Sequence, residues 1–172
     1  MTTPPAPPAR SRLRRLALPG LAVLATIVAA FAFDAARAPS GAWTYSTEKG
    51  AEGGEDRFAT LLSSNRVRQK PPYEAETTME LIVGQTAKGP EVTLRVSSGQ
   101  LMCPSYAGCA GTVRFDEGPT RELRLEGFLQ SGTNTVFVKE PKPFIAALTK
   151  AKHVTIGKPM LGAGTPRFEF AV

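Results

Sequence analysis

Two hydrophobic rhythms divide the chain. From Leu16 to Phe33 the run LALPGLAVLATIVAAFAF passes eighteen residues without a charge. From Trp43 onward, apolar residues come instead in short runs at every second position. As a helix, the first segment spans roughly 27 Å at about 1.5 Å per residue, close to the thickness of a bilayer core of about 30 Å. The second rhythm belongs to a sheet with one buried and one wet face, because successive side chains of a strand point to opposite sides.

The alternation can be followed run by run. Trp43–Thr47 alternates aromatic and hydroxyl side chains, which predicts a half-buried strand, and RFATLLS (57–63) predicts a second. Met79, Leu81 and Val83 share one parity, as do Val92, Leu94 and Val96, with Thr93 and Arg95 opposed. Val113 and Phe115, then Leu123 and Leu125, continue the pattern. KGAEGGED (49–56), Lys88-Gly89-Pro90 and Glu117-Gly118-Pro119 separate the runs as turns. NRVRQKPPY (65–73) is basic and proline-rich and is expected to be an exposed loop.

One segment changes period. PKPFIAALTKA (141–151) sets Phe144, Ile145, Leu148 and Ala151 on one helical stripe, with both prolines at the start, where a helix tolerates them. HVTIG (153–157) and RFEFAV (167–172) return to strand, the latter with Phe168, Phe170 and Val172 inward, and 157–166 is the loop between them. The expected fold is mainly β: an antiparallel β-sandwich, or a partly open barrel, with one short helix, preceded by a single N-terminal transmembrane helix.

Charge sharpens this division. Five arginines against Asp34 give residues 1–40 a net charge of +4 out of the chain's +6. The remaining sixteen basic and fourteen acidic residues leave the β domain nearly balanced. The basic excess therefore flanks the apolar segment, which removes the main argument for nucleic-acid binding and keeps the N-terminus cytoplasmic. The expected organisation is a disordered cytoplasmic tail (1–15), a transmembrane anchor or uncleaved signal (16–33), a linker (34–42) and a periplasmic β domain (43–172). Cleavage is the alternative: Ala30-Phe31-Ala32 and Ala36-Arg37-Ala38 have the small-x-small form, and cutting would leave a soluble periplasmic protein. The second of these sites is followed by Pro39, which obstructs it.

In an exported domain, Cys103 and Cys109 are expected to form a disulfide. Closing a loop of about seven residues contributes roughly 2.4 kcal/mol on the chain-entropy account. Two Cys and one His do not complete a tetrahedral zinc site, so no metal or other cofactor is expected. His153, the single histidine, has no assignable partner for general-base work. Ser46-Thr47-Glu48-Lys49 has SxxK spacing but lies at a strand end, with no accompanying SDN or KTG element. No nucleophile elbow, phosphate loop or HExxH is present. The expectation is thus no catalytic residue, and partner contact through Arg66, Arg68, Tyr73 and Tyr106, the last presented on the disulfide loop.

The order of elements resembles the small exported accessory proteins associated with type VI secretion in Gram-negative bacteria. The resemblance is carried by Trp43 and Tyr45, Glu55-Asp56 before Leu61-Leu62-Ser63, VTLRV (92–96) and VRFDEG (113–118). It continues through Ser131, Thr133, Val136-Phe137, FIAALTKAKHVTI (144–156) and FEFAV (168–172), while residues 97–110 depart from the pattern. It implies an accessory β-sandwich without catalytic residues. Together these readings predict a membrane-anchored, non-catalytic binding or accessory module of an envelope assembly. Its partners would be the inner membrane and another envelope protein or a cell-wall component. The alternatives are an envelope hydrolase acting on peptidoglycan or peptides through carboxylates that meet only in the fold, or an inhibitor of such a hydrolase.

Overall fold

Period-two alternation becomes strand almost wherever it occurs. The computed structural model describes residues 42–51, 53–71, 76–104, 108–127 and 131–172. Within them lie β1 (Thr44–Lys49), β2 (Glu55–Leu62), β3 (Val67–Arg68), β4 (Glu76–Thr77), β5 (Met79–Thr86) and β6 (Gly89–Val96). After these come β7 (Cys109–Phe115), β8 (Arg121–Glu126), β9 (Thr135–Val138), helix α1 (Pro141–Leu148), β10 (His153–Gly157) and β11 (Arg167–Ala171). Nine strands form one antiparallel sheet in the order β1-β2-β5-β6-β9-β8-β7-β10-β11, and β3 and β4 make a separate short hairpin.

The register explains why a single face carries the core. Leu61 lies opposite Leu81, which lies opposite Leu94, itself opposite Val136. On the other side of the strand order, Val113 faces Ile156, which faces Phe168, and Phe115, Val154 and Phe170 form the next row. Most of these are buried outright, Phe168 and Ile156 completely. Each buried side chain of this size contributes about 1.5–3 kcal/mol. Helix α1 begins at Pro141 and buries Phe144 and Leu148, with the Phe144 ring edge-on to Phe115 at 5.5 Å. The expected stripe is therefore the packed one, with Ile145 and Ala151 partly buried beside it.

The sheet curls because its last strand returns to its second. The Ser64 amide donates to the Glu169 carbonyl at 2.7 Å, the Asn65 side-chain amide donates to the Arg167 carbonyl, and the Glu169 amide donates to Asn65 Oδ1. Ser63, one residue earlier, donates to the Met79 carbonyl on β5. One edge of the β2 segment thus belongs to β5, and the other is shared, β1 taking Glu55–Thr60 and β11 the residues just beyond the strand.

Two expectations need correction. β1 is not half-buried: all six of its residues are exposed, since among the described residues little packs over its inner side at this end of the strand order. Residues 65–71 are not simply an exposed loop: β3 pairs with β4 there, and Gln69 is buried, its amide donating to Thr77 Oγ1 and to the Ser98 carbonyl. The loop between β10 and β11 lies where expected, with Met160 buried and bridged to Leu101. The expected transmembrane segment 16–33 lies outside the described residues. Among the described residues no helix is long and apolar enough to cross a membrane.

Candidate functional site

Cys103 and Cys109 stand at disulfide distance, with sulfurs 1.91 Å and Cα atoms 4.3 Å apart. Two further ties close around them. Lys158 is fully buried, and its ammonium donates to the carbonyls of Met102 and Ala110, the residues just outside the two cysteines, the latter at 3.1 Å. The parity of β10 puts it there: Val154 and Ile156 face inward, and Lys158 continues the same phase. Gly111 allows β7 and β10 to approach closely, since a Cβ at that position would meet the Gly157 carbonyl at 2.7 Å. No carboxylate of the described residues forms an ion pair with Lys158. Burial lowers its pKa from 10.5 to about 8.

Beside this knot lies a cleft of about 430 Å³. Leu101, Met102, Cys103 and Pro104 form one wall, Thr133, Thr135 and Val136 another, with Gln100, Gly127, Gly132 and Leu161 completing it. None of these residues is charged. Met102 and Leu161, two of the four large hydrophobic residues left exposed among the described residues, stand at the cleft. A concave, mostly apolar surface with a few hydroxyl and amide groups suits an uncharged group of a ligand or partner.

The contact residues expected from sequence fall unevenly around it. Arg66 and Arg68 are exposed on the β3–β4 hairpin, Arg66 paired with Glu76 at 3.3 Å, a surface pair of little energetic weight. No hairpin residue lines the cleft, although Gln69 bonds to the Ser98 carbonyl and the Pro71 carbonyl lies 3.9 Å from where a Gly162 Cβ would stand. Tyr73 and Tyr106 lie outside the described residues. Sequence reasoning missed Lys158, although the alternation Val154, Ile156, Lys158 carried its signal.

A second cleft, about 240 Å³, opens on the other side of the sheet between Asp56, Phe58, Thr86, Ala87, Lys88 and Glu91. Partial burial and the neighbouring Asp56 charge both raise the Glu91 pKa above the usual carboxylate range. Asp56 Oδ1 accepts the Ala87 amide at 3.2 Å. Asp116, by contrast, is structural. Its backbone has φ 48° and its Oδ1 accepts the amides of Lys152 and His153, both at 2.8 Å, which lowers its pKa. His153 is exposed at the start of β10, and Ser46 is exposed in mid-β1, where no helix start activates it. Among the described residues no three His, Cys, Asp or Glu side chains are grouped to hold a metal ion.

Comparison with solved structures adds a weak likeness. The chain is similar to the crystal structure of invasion associated protein B from Bartonella henselae. The TM-score is 0.39 at 20% identity, covering 73% of this chain and 79% of that one. No family model and no curated protein matches the chain.

Proposed function

We propose that the chain is a non-catalytic binding or accessory module of an envelope assembly. In this reading residues 16–33 hold it on the inner membrane, with the N-terminus cytoplasmic and an antiparallel sandwich or partly open barrel in the periplasm. The observation that carries the binding role is the uncharged cleft at the base of the disulfide loop, with Met102 and Leu161 exposed beside it. A cysteine pair at bonding distance fits an oxidising compartment, and the arginines ahead of Leu16 fit this orientation. The same reading allows the soluble periplasmic form that cleavage would produce. It also accommodates the resemblance to type VI secretion accessory proteins, and an inhibitor of an envelope hydrolase would present the same rigid loop.

The test is a pull-down of full-length, C-terminally tagged protein from gently solubilised membranes, run beside Leu161→Asp. A stoichiometric envelope protein that is recovered with the wild type and lost with the variant supports the reading. Equal recovery with both, or no partner with either, overturns it.

A second reading rests on the Asp56–Glu91 cleft, where a carboxyl of raised pKa lies near a second carboxyl, the pairing that acid–base catalysis uses. On that reading the chain hydrolyses peptidoglycan or peptides. Glu91→Gln and Asp56→Asn would then each abolish fragment release from purified sacculi, and a wild type that releases none removes it.

A further inference from the structure

The two cysteines sit on arms that the sheet holds without them. On the first arm the Gln100 carbonyl accepts the Leu161 amide at 3.0 Å, and the Leu101 amide donates to the Thr133 carbonyl at 2.7 Å. The Met102 amide, next to Cys103, donates to the Pro159 carbonyl at 2.9 Å. On the second arm Cys109 and Ala110 open β7 and lie opposite Leu125 and Arg124 of β8. Each arm is thus fixed as far as its cysteine or the residue beside it.

Lys158 then joins the arms to each other. Its ammonium donates to the carbonyls of Met102 and Ala110, one residue outward from each cysteine, so it runs parallel to the sulfur bond as a second crosslink. Hydrogen bonds from a charged donor are among the stronger ones, and Lys158 is fully buried, where water does not compete for them. A bond that closes a free loop must gather its ends each time it forms. Here the ends stay gathered when the sulfurs part, which keeps one thiol at high effective concentration beside the other. Cys103 and Cys109 are themselves only half-buried, and Cys103 lines the cleft, so the pair is not sealed in the core.

We propose that Cys103–Cys109 is a reversible thiol–disulfide site, opened and closed inside the folded domain by exchange with a dithiol, and that Lys158 is the positioning residue that holds its two halves together in the open state. A thiolate of the dithiol attacks one sulfur, forms a mixed disulfide with it and releases the other cysteine as a thiolate, which takes a proton. The second thiolate of the dithiol then displaces the remaining cysteine, which takes the second proton, and closes the dithiol's own disulfide. Two electrons and two protons pass to the cysteine pair, and closure is the same sequence reversed. The bond is then a local device at the cleft wall rather than a staple for the fold. It needs no ligand in the cleft, so it stands apart from the docking role given to that surface.

The test titrates the full chain in detergent micelles at pH 7 with mixtures of reduced and oxidised dithiothreitol, and counts free thiols by acid quench, alkylation and mass spectrometry. Reduction is expected to leave the domain folded, with slow amide exchange kept at Val113, Leu123 and Ile156. Oxidised dithiothreitol is expected to restore the bond without urea. Lys158→Met should lower the ratio of reduced to oxidised dithiothreitol at half-reduction at least tenfold, because its open arms are free to part. Lys150→Met, which removes an exposed lysine, should leave that ratio unchanged. A merely structural Lys158 would move the urea midpoint of the variant and not the exchange ratio, and that result overturns the proposal. So does a domain that unfolds on reduction, or a bond that opens only in urea. Where Lys158→Met does not fold, the wild type decides by NMR of the Lys158 ammonium. Protons that stay protected from solvent exchange in both redox states support the tie, and protection lost on reduction overturns it.

Discussion

The sheet ends twice, at β11 and at β1, and the two ends treat the same problem differently. An edge strand must place a row of amides and carbonyls somewhere. At β11 the row is taken by Ser64 and Asn65, whose backbone and side chains bond to Arg167 and Glu169, and the inner side is filled by Phe168 and Phe170. At β1 no such seam forms among the described residues, and the inner side carries the exposed Tyr45. Both ends lie along the same edge of the β2 segment, so the difference comes from the chain segments beside each strand and the packing beneath it. The end at β11 is sealed into the core, and the end at β1 is not sealed by any of the described residues.

The largest expected contrast compares the inner side chains of the two ends. Phe168→Ala leaves a cavity where no solvent reaches, and is expected to cost about 3–5 kcal/mol. Tyr45→Ala removes a side chain already in water and is expected to stay within about 0.5 kcal/mol. Urea denaturation of the two variants decides this. A cost at Tyr45 approaching that at Phe168 would mean that β1 is covered, and the comparison would fail.

Next in size is Lys158, which lies inward next to the sealed strands. Its folded pKa of about 8 is below the 10.5 of an unperturbed lysine, so between those values the unfolded chain holds the extra proton. Stability should therefore rise with pH through that window, by up to about 1.4 kcal/mol per unit for a single group. Below pH 8 both states are charged, and the burial cost is present in full. Lys158→Met should remove the slope, although it leaves the carbonyls of Met102 and Ala110 without their donor. The difference between the two urea series from about pH 8 to 10.5 isolates this group from other titrating residues. A difference that does not change with pH would mean that the ammonium is solvated.

The core was legible in the sequence because burial on one face of a strand imposes period two, and Met79–Val83, Val92–Val96 and Phe168–Phe170 obey it. What parity cannot state is which strand lies last. Trp43–Thr47 alternates as well as any run, yet β1 is exposed whereas β11, the other end strand, is buried on its inner side, a difference set by long-range packing. Lys158 and Gln69 were missed for a different reason: their polarity argues for solvent, and only strand phase in one case, and β3–β4 pairing in the other, turns them inward. The meeting of Asp56 with Glu91 needs β2, β5 and β6 side by side, which no local pattern announces. The cleft is similar, since Leu101, Val136 and Leu161 come from three separate stretches of the chain. The disulfide was the exception, because two cysteines only six residues apart, in a domain expected to be exported, already suggest a bond.

The seam itself can be opened at one residue. Asn65 both donates to the Arg167 carbonyl and accepts from the Glu169 amide, so Asn65→Ala removes two bonds at once. With the site partly exposed, the expected loss is about 1–2 kcal/mol. Amide exchange at Glu169 should accelerate before exchange at Phe168 or Phe170. Unchanged exchange at Glu169 would mean that the Ser64 contacts alone seal the edge.

The smallest effect has the opposite sign and comes from the open end. Glu91 is partly buried near Asp56, and both features penalise its charge, so its folded pKa lies above the unfolded 4.5. A raised carboxyl pKa means that the charged form costs stability at neutral pH and that the cost is relieved as pH falls through the folded value. Glu91→Gln removes the charge and keeps the shape, so it should stabilise slightly at pH 7. Solvent screening at a half-exposed site keeps the gain below about 0.5 kcal/mol. The gain should shrink in high salt and as pH falls and the wild-type carboxyl takes up its proton. The corresponding change at the sealed end, Asn65→Ala, can only lose stability. A destabilising Glu91→Gln would mean instead that the carboxylate holds a bond the fold depends on.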